Sequence, residues 1–133
     1  MKIEILVAAH KEFPMPKKEG YLPVLVGAVK NYKPGISYQR DDDGENISSK
    51  NPNYNELTAV YWAWKNLKDV DAIGLVHYRR LLFEKRPYSL DNVISIEKVN
   101  QLLQKYDVIL PKKRNYYIET NYSHYIHAHH KEP

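Results

Sequence analysis

The segment IEILVAA at residues 3–9 constrains the fold more than any other stretch, because its apolar residues follow one another instead of alternating with polar ones. A strand with one wet face alternates. A near-continuous run ending in small Ala8 and Ala9 fits a strand covered on both faces, as in a parallel sheet flanked by helices. Three more short apolar runs read as strands: VLVGAV at 24–29, AIGLV at 72–76, and DVILP at 107–111, halted by Pro111.

Helical patterns separate these runs. In NYNELTAVYWAWKNL, Asn53 stands as cap with Glu56 three residues later to reach back, and Leu57, Val60, Tyr61, Trp64 and Leu67 follow helical spacing on one face. Trp62 and Ala63 widen that surface, and both tryptophans read as core. SIEKVNQLLQKY is a second helix, capped by Ser95, with Ile96, Val99, Leu102, Leu103 and Tyr106 inward. KEFPMPKKEGYLP is a loop by its prolines and glycine. The polar stretch from Lys30 to Pro52 is long enough to be functional or mobile. The order strand, loop, strand, long loop, helix, strand, helix, strand predicts an α/β fold, a mostly parallel sheet with right-handed crossovers. The 133 residues form one domain with one core.

Ligands of such sheets bind beyond the carboxyl ends of the strands. Here those ends read Ala8-Ala9-His10, His77-Tyr78-Arg79-Arg80 and Pro111-Lys112-Lys113, all small or basic. Strands usually close on cheap turn residues, so an imidazole, a phenol and two guanidiniums after Val76 point to a ligand. One arginine can clamp a phosphate or carboxylate in bidentate fashion while the other pairs within the fold. His77 is a general acid, a phosphate ligand or a buried hydrogen-bonding residue. The net charge of +4 favours anionic ligands or an anionic membrane surface.

Other chemistry is less well supported. Asp41 and Asp43, in DDDG, have the Asp-x-Asp arrangement that holds Mg or Mn, but three aspartates and a glycine in a polar loop are also ordinary turn chemistry, which is the preferred reading. His124, His127 and His130 fall at three-residue steps, without the two-His-plus-Glu zinc signature; a metal-dependent hydrolase is a minor option. Neither glycine-rich phosphate loop nor a Gly-x-Ser-x-Gly elbow occurs, which disfavours dinucleotide dehydrogenases, P-loop NTPases and α/β-hydrolases. The basic residues are dispersed among acids and no RNA-binding signature is present, so nucleic acid is not the expected partner. The chain has no cysteine, in agreement with a cytoplasmic protein, and no run approaches membrane-spanning length.

NPNYNELTAVYWAWKN followed by IGLVHYRRLLF, with ILVAAHKEF, DDDGENIS and DVILPKKRNYYIETNYSHYIHAHH, resembles a bacterial family of capsular and exopolysaccharide biosynthesis glycosyltransferases, formerly a domain of unknown function. The resemblance covers nearly the whole chain. It implies a Rossmann-like, GT-A-type fold that binds a nucleoside-diphosphate sugar, UDP-linked by expectation, and passes the sugar to a saccharide or lipid-linked acceptor. It implies a cytoplasmic location, at the inner face of the cytoplasmic membrane if peripherally associated. Family members run to roughly twice this length, so residues 1–133 are expected to be the N-terminal part of a longer domain.

Carried onto this sequence, the resemblance puts Ala8, Ala9 and His10 near the nucleoside, and His77, Arg79 and Arg80 at the diphosphate. Asn55, Glu56, His124 and His127 become sugar contacts, Glu56 being first of all a helix cap. No catalytic residue is assigned. A GT-A enzyme usually shows Asp-x-Asp where this chain has His77-Tyr78-Arg79-Arg80, so cations would do electrostatically what a metal does elsewhere. The alternative is a non-catalytic sugar- or anion-binding module.

Overall fold

The computed structural model of the chain describes residues 1–112. Strand β1, Ile3–Ala9, is flanked in parallel by β2, Tyr21–Leu25, and by β4, Ala72–His77; the two-residue β3, Gln39–Arg40, adds to β2. The sheet order is β3-β2-β1-β4, with Ile5 opposite Tyr21 on one side and Gly74 on the other. Every strand pairing of this sheet among the described residues is parallel, within the α/β, mostly parallel class that the sequence predicts.

The continuous apolar run of β1 is buried on both faces. Leu6 and Ala8 point toward helix α3, Leu57–Asn66, and pack with Val24, Ala59, Trp62 and Ala63. Ile3 and Ile5 point the other way, into a cluster with Ile94 and Val99, the latter on helix α4, Ile96–Leu103. Val7 and Ala9 meet Tyr78 and, among the described residues, are covered by Met15 and Tyr38. Full burial of each such aliphatic side chain contributes about 1.5–3 kcal/mol. In α4 the cap is as read: the Ser95 side chain accepts from the Lys98 amide at 3.1 Å.

Four local expectations are corrected. The second strand runs from Tyr21 to Leu25 and not to Val29, because Gly27 adopts φ 62° and starts the short helix α1, Ala28–Asn31. A Cβ at Gly27 would come within 2.7 Å of the Asn51 Oδ1 atom. Asn53 caps nothing: it lies inside the short helix α2, Asn51–Tyr54, which begins with Pro52 in its first turn and ends at Asn55 with φ 51°. That left-handed residue resets the helical phase.

The inward face of α3 is therefore Thr58, Ala59, Trp62 and Ala63, while Leu57 and Trp64 stand 55% and 66% exposed. Small Ala59 and Ala63 let the helix approach the sheet closely, which larger residues would prevent. Finally, residues 107–111 form no strand: Val108 and Leu110 are exposed, so Pro111 and Lys112 are not a strand end, and Tyr106 is exposed too. Ile109 alone of that segment packs on the β1–α4 cluster.

Candidate functional site

The order 3-2-1-4 means that the chain leaves β1 in one direction toward β2 and β3, then returns across it to β4. The carboxyl ends of β1 and β4 therefore flank the point where the strand order reverses, the usual ligand crevice of open parallel sheets. Ala8, Ala9 and His10 lie on one side of it and His77 to Arg80 on the other. The amide of Tyr78 donates to the Ala8 carbonyl at 3.0 Å, and that of Val26 to the Ala9 carbonyl at 2.9 Å. The two small alanines are wholly buried, and His10 is exposed.

The β4 strand ends in a tight turn. The Arg80 amide donates to the His77 carbonyl at 2.8 Å, and the Arg79 amide donates to His77 Nδ1 at 3.2 Å. Because the pleat stops at His77, strand alternation no longer forces the two arginines to opposite faces. Tyr78 is the buried pivot at 3% exposure, its ring 4.6 Å from Phe13, 4.3 Å from His77 and 5.6 Å from His10. The Arg79 guanidinium lies 5.6 Å from the Tyr78 ring centre, with Nε 3.4 Å from the phenol oxygen.

Both guanidiniums are exposed. Among the described residues the ion pairs join Arg40 to Asp42 and Lys65 to Glu45, and neither Arg79 nor Arg80 takes part in one. Two neighbouring cations without internal counter-charges are the electrostatic half of an anion site.

Glu56 enters from α3. It occupies the residue before the helix, half-buried, and its side chain caps no amide, so the capping role expected of it is not made. Its negative charge acts on His77 instead. Burial lowers the His77 pKa most; Glu56 opposes that, and His10, Arg80 and Arg79 add to it. The result lies below the ordinary histidine value, which favours the neutral imidazole. Asn55 is exposed, with its carbonyl accepting from Asn51 Nδ2 at 2.8 Å and from the Thr58 amide at 3.2 Å.

What holds α3 in this position is Asp41. Its carboxylate is fully buried and accepts from four protein donors: the amides of Gly27 and Ala28 at 2.8 and 2.9 Å, Thr58 Oγ1 at 2.7 Å, and Ser48 Oγ. The Asp-x-Asp metal reading does not fit this geometry. The oxygens of Asp41 are already taken, Asp43 is exposed with one weak contact from Gln39 at 3.4 Å, and among the described residues no group of three acidic or imidazole side chains could hold an ion. His124 and His127 lie outside the described residues, as does Lys113.

Phe13 and Tyr38 were not singled out by the sequence. The Phe13 amide donates to the Tyr38 phenol oxygen at 2.9 Å, and that hydroxyl donates to the Phe13 carbonyl at 2.8 Å, which presses Phe13 against Tyr78. The 12 tyrosines of the sequence, against 2 phenylalanines, are the available signal, but composition does not say which rings meet. No helix among the described residues is long and apolar enough to cross a membrane.

Comparison with known proteins adds two findings. The model of a family described as "Domain of unknown function (DUF4422)" matches residues 4–133. The structure is similar to the apo structure of the bifunctional glycosyltransferase WbbM, with 40% sequence identity and a TM-score of 0.59 over 67% of this chain. The match spans 16% of that protein. No curated protein matches the chain.

Proposed function

We propose that this chain, which belongs to the DUF4422 family, is the donor-binding part of a glycosyltransferase that takes a sugar from a nucleoside-diphosphate sugar. The observation that carries the reading is the exposed Arg79–Arg80 pair at the reversal point of the sheet, without carboxylate partners among the described residues. The likeness to WbbM, a bifunctional glycosyltransferase, supports the same class of activity.

In this reading Ala8 and Ala9 let the nucleoside approach the backbone, with His10 beside it. Arg79 and Arg80 meet the diphosphate and neutralise the charge that develops on the departing nucleotide, the largest electrostatic demand of such a transfer. Asn55 and Glu56, at the start of α3, contact sugar hydroxyls. UDP is the expected nucleotide, a saccharide or lipid-linked glycan of capsule or exopolysaccharide the expected acceptor, and the inner face of the cytoplasmic membrane the expected place. The net charge of +4 suits an anionic surface.

Melting curves with UDP and UDP-sugars test this. The wild type is expected to gain stability with UDP, and Arg79→Ala and Arg80→Ala each to lose about tenfold in affinity, as removal of a charge-assisted contact does. A folded chain whose melting temperature moves with no nucleotide sugar would end the proposal.

A further inference from the structure

A protonated imidazole would add a third cation beside Arg79 and Arg80, yet the turn after β4 works against a charged His77. The Arg79 amide points its hydrogen at Nδ1, 3.2 Å away, and an N–H can be accepted there only by a bare nitrogen lone pair. The side chain thus caps the amide two residues on, as Asn or Asp does in an Asx-turn. A proton on Nδ1 would set two donors against each other and open the turn that carries both arginines. The neutral ring consistent with the contact bears its hydrogen on Nε2, and Nδ1 is the ring nitrogen engaged among the described residues.

The charged or titratable groups facing the ring can be named among the described residues. Arg79 and Arg80 come from its own turn, His10 from the end of β1, and Glu56 from the start of α3; Tyr78 packs on the ring at 4.3 Å. Among the described residues His10, Arg79 and Arg80 oppose a positive imidazole and Glu56 favours it, so burial and most of these charges agree with the geometry.

We propose that His77 serves this site as a neutral hydrogen-bond donor, held as the Nε2–H tautomer by the main-chain amide of Arg79, and that Nε2–H is offered to an oxygen of the bound diphosphate. Charge and direction are thereby divided: the guanidiniums supply the positive field, and the imidazole supplies one oriented donor. The role toward the ligand rests on the functional reading above; the tautomer does not.

Nitrogen-15 NMR of the full chain, histidine-labelled and free of ligand, reads the tautomer directly. The expected spectrum shows His77 with an unprotonated Nδ1 and a protonated Nε2 at pH 7. Binding of UDP is then compared for two variants. In His77→Gln the side-chain amide nitrogen reaches the Nε2 position, and affinity is expected within about threefold of wild type; in His77→Asn it reaches only the Nδ1 position, and a loss of about tenfold is expected. An imidazolium at pH 7, a proton on Nδ1, or equal losses in the two variants overturns the inference even if UDP binds well. A wild type with the expected tautomer but no affinity for UDP overturns the functional reading, and the donor role with it.

Discussion

At the scale of single residues, Asp41 shows how a polar loop becomes architecture. A fully buried carboxylate that accepts two backbone amides and two hydroxyls ties the end of β2, the start of α1, the Ser48–Lys50 turn and the start of α3 to one point. Replacing it with alanine leaves those donors buried and unpaired, so Asp41→Ala is expected to cost about 3 kcal/mol or more in urea denaturation. Ser48→Ala, which removes one donor and leaves the rest engaged, is expected to cost about 1 kcal/mol. A loss under about 1 kcal/mol for Asp41→Ala would show that the four contacts do not stabilise the fold together. The sequence marked Asp41 as either metal ligand or turn residue. The deciding quantity was its burial, which depends on Thr58 arriving from 17 positions away.

Helix α3 and the turn after β4 show the same dependence at the scale of elements. Helical spacing correctly located α3, but its inward face was misplaced because two candidate apolar stripes run along it and periodicity cannot rank them. Trp62 is buried with its Nε1 donating to the Asp43 carbonyl at 2.6 Å, whereas Trp64 lies outside with the Lys65 ammonium 3.7 Å from its ring centre. Trp62→Phe is thus expected to cost about 2 kcal/mol or more, from lost volume and an unpaired carbonyl. Trp64→Ala is expected to cost about 1 kcal/mol or less, the worth of an exposed cation–π contact. Thermal unfolding of both variants checks this; the reverse ranking would restore the face that spacing alone favours. In the β4 turn, the motif's chemistry was readable in advance, but its geometry, with both arginine amides folded back on His77, was not.

Across the whole molecule, Tyr21 joins regions far apart in the chain. It sits at the start of β2, packs with both clusters on the α4 face of the sheet, and its hydroxyl donates to the Ile94 carbonyl at 2.5 Å. Burial, with the charge of Glu84 adding to it, pushes its phenol up from 10.0 to about 12. Because the folded value is raised, the neutral form's contribution is complete below pH 10 and is lost as the pH climbs toward 12. Denaturation measured from pH 8 to 12 is expected to show a fall beginning near pH 10. Tyr21→Phe is expected to flatten that fall while costing about 1 kcal/mol at neutral pH. An unchanged alkaline limb in the variant would assign the fall to other groups.

Sequence alone determined the class of the sheet, the burial of its first strand on both faces, the position of two helices and the place where cations collect. Each of these follows from local order: apolar run length, helical spacing, and which residue types follow a strand. It could not decide that 107–111 stays off the sheet, that Gly27 ends a strand early, that Asp41 faces inward, or that Phe13 and Tyr38 brace the site. Those outcomes turn on which partner reaches a group first across tens of residues, and on burial that exists only once the layers have packed.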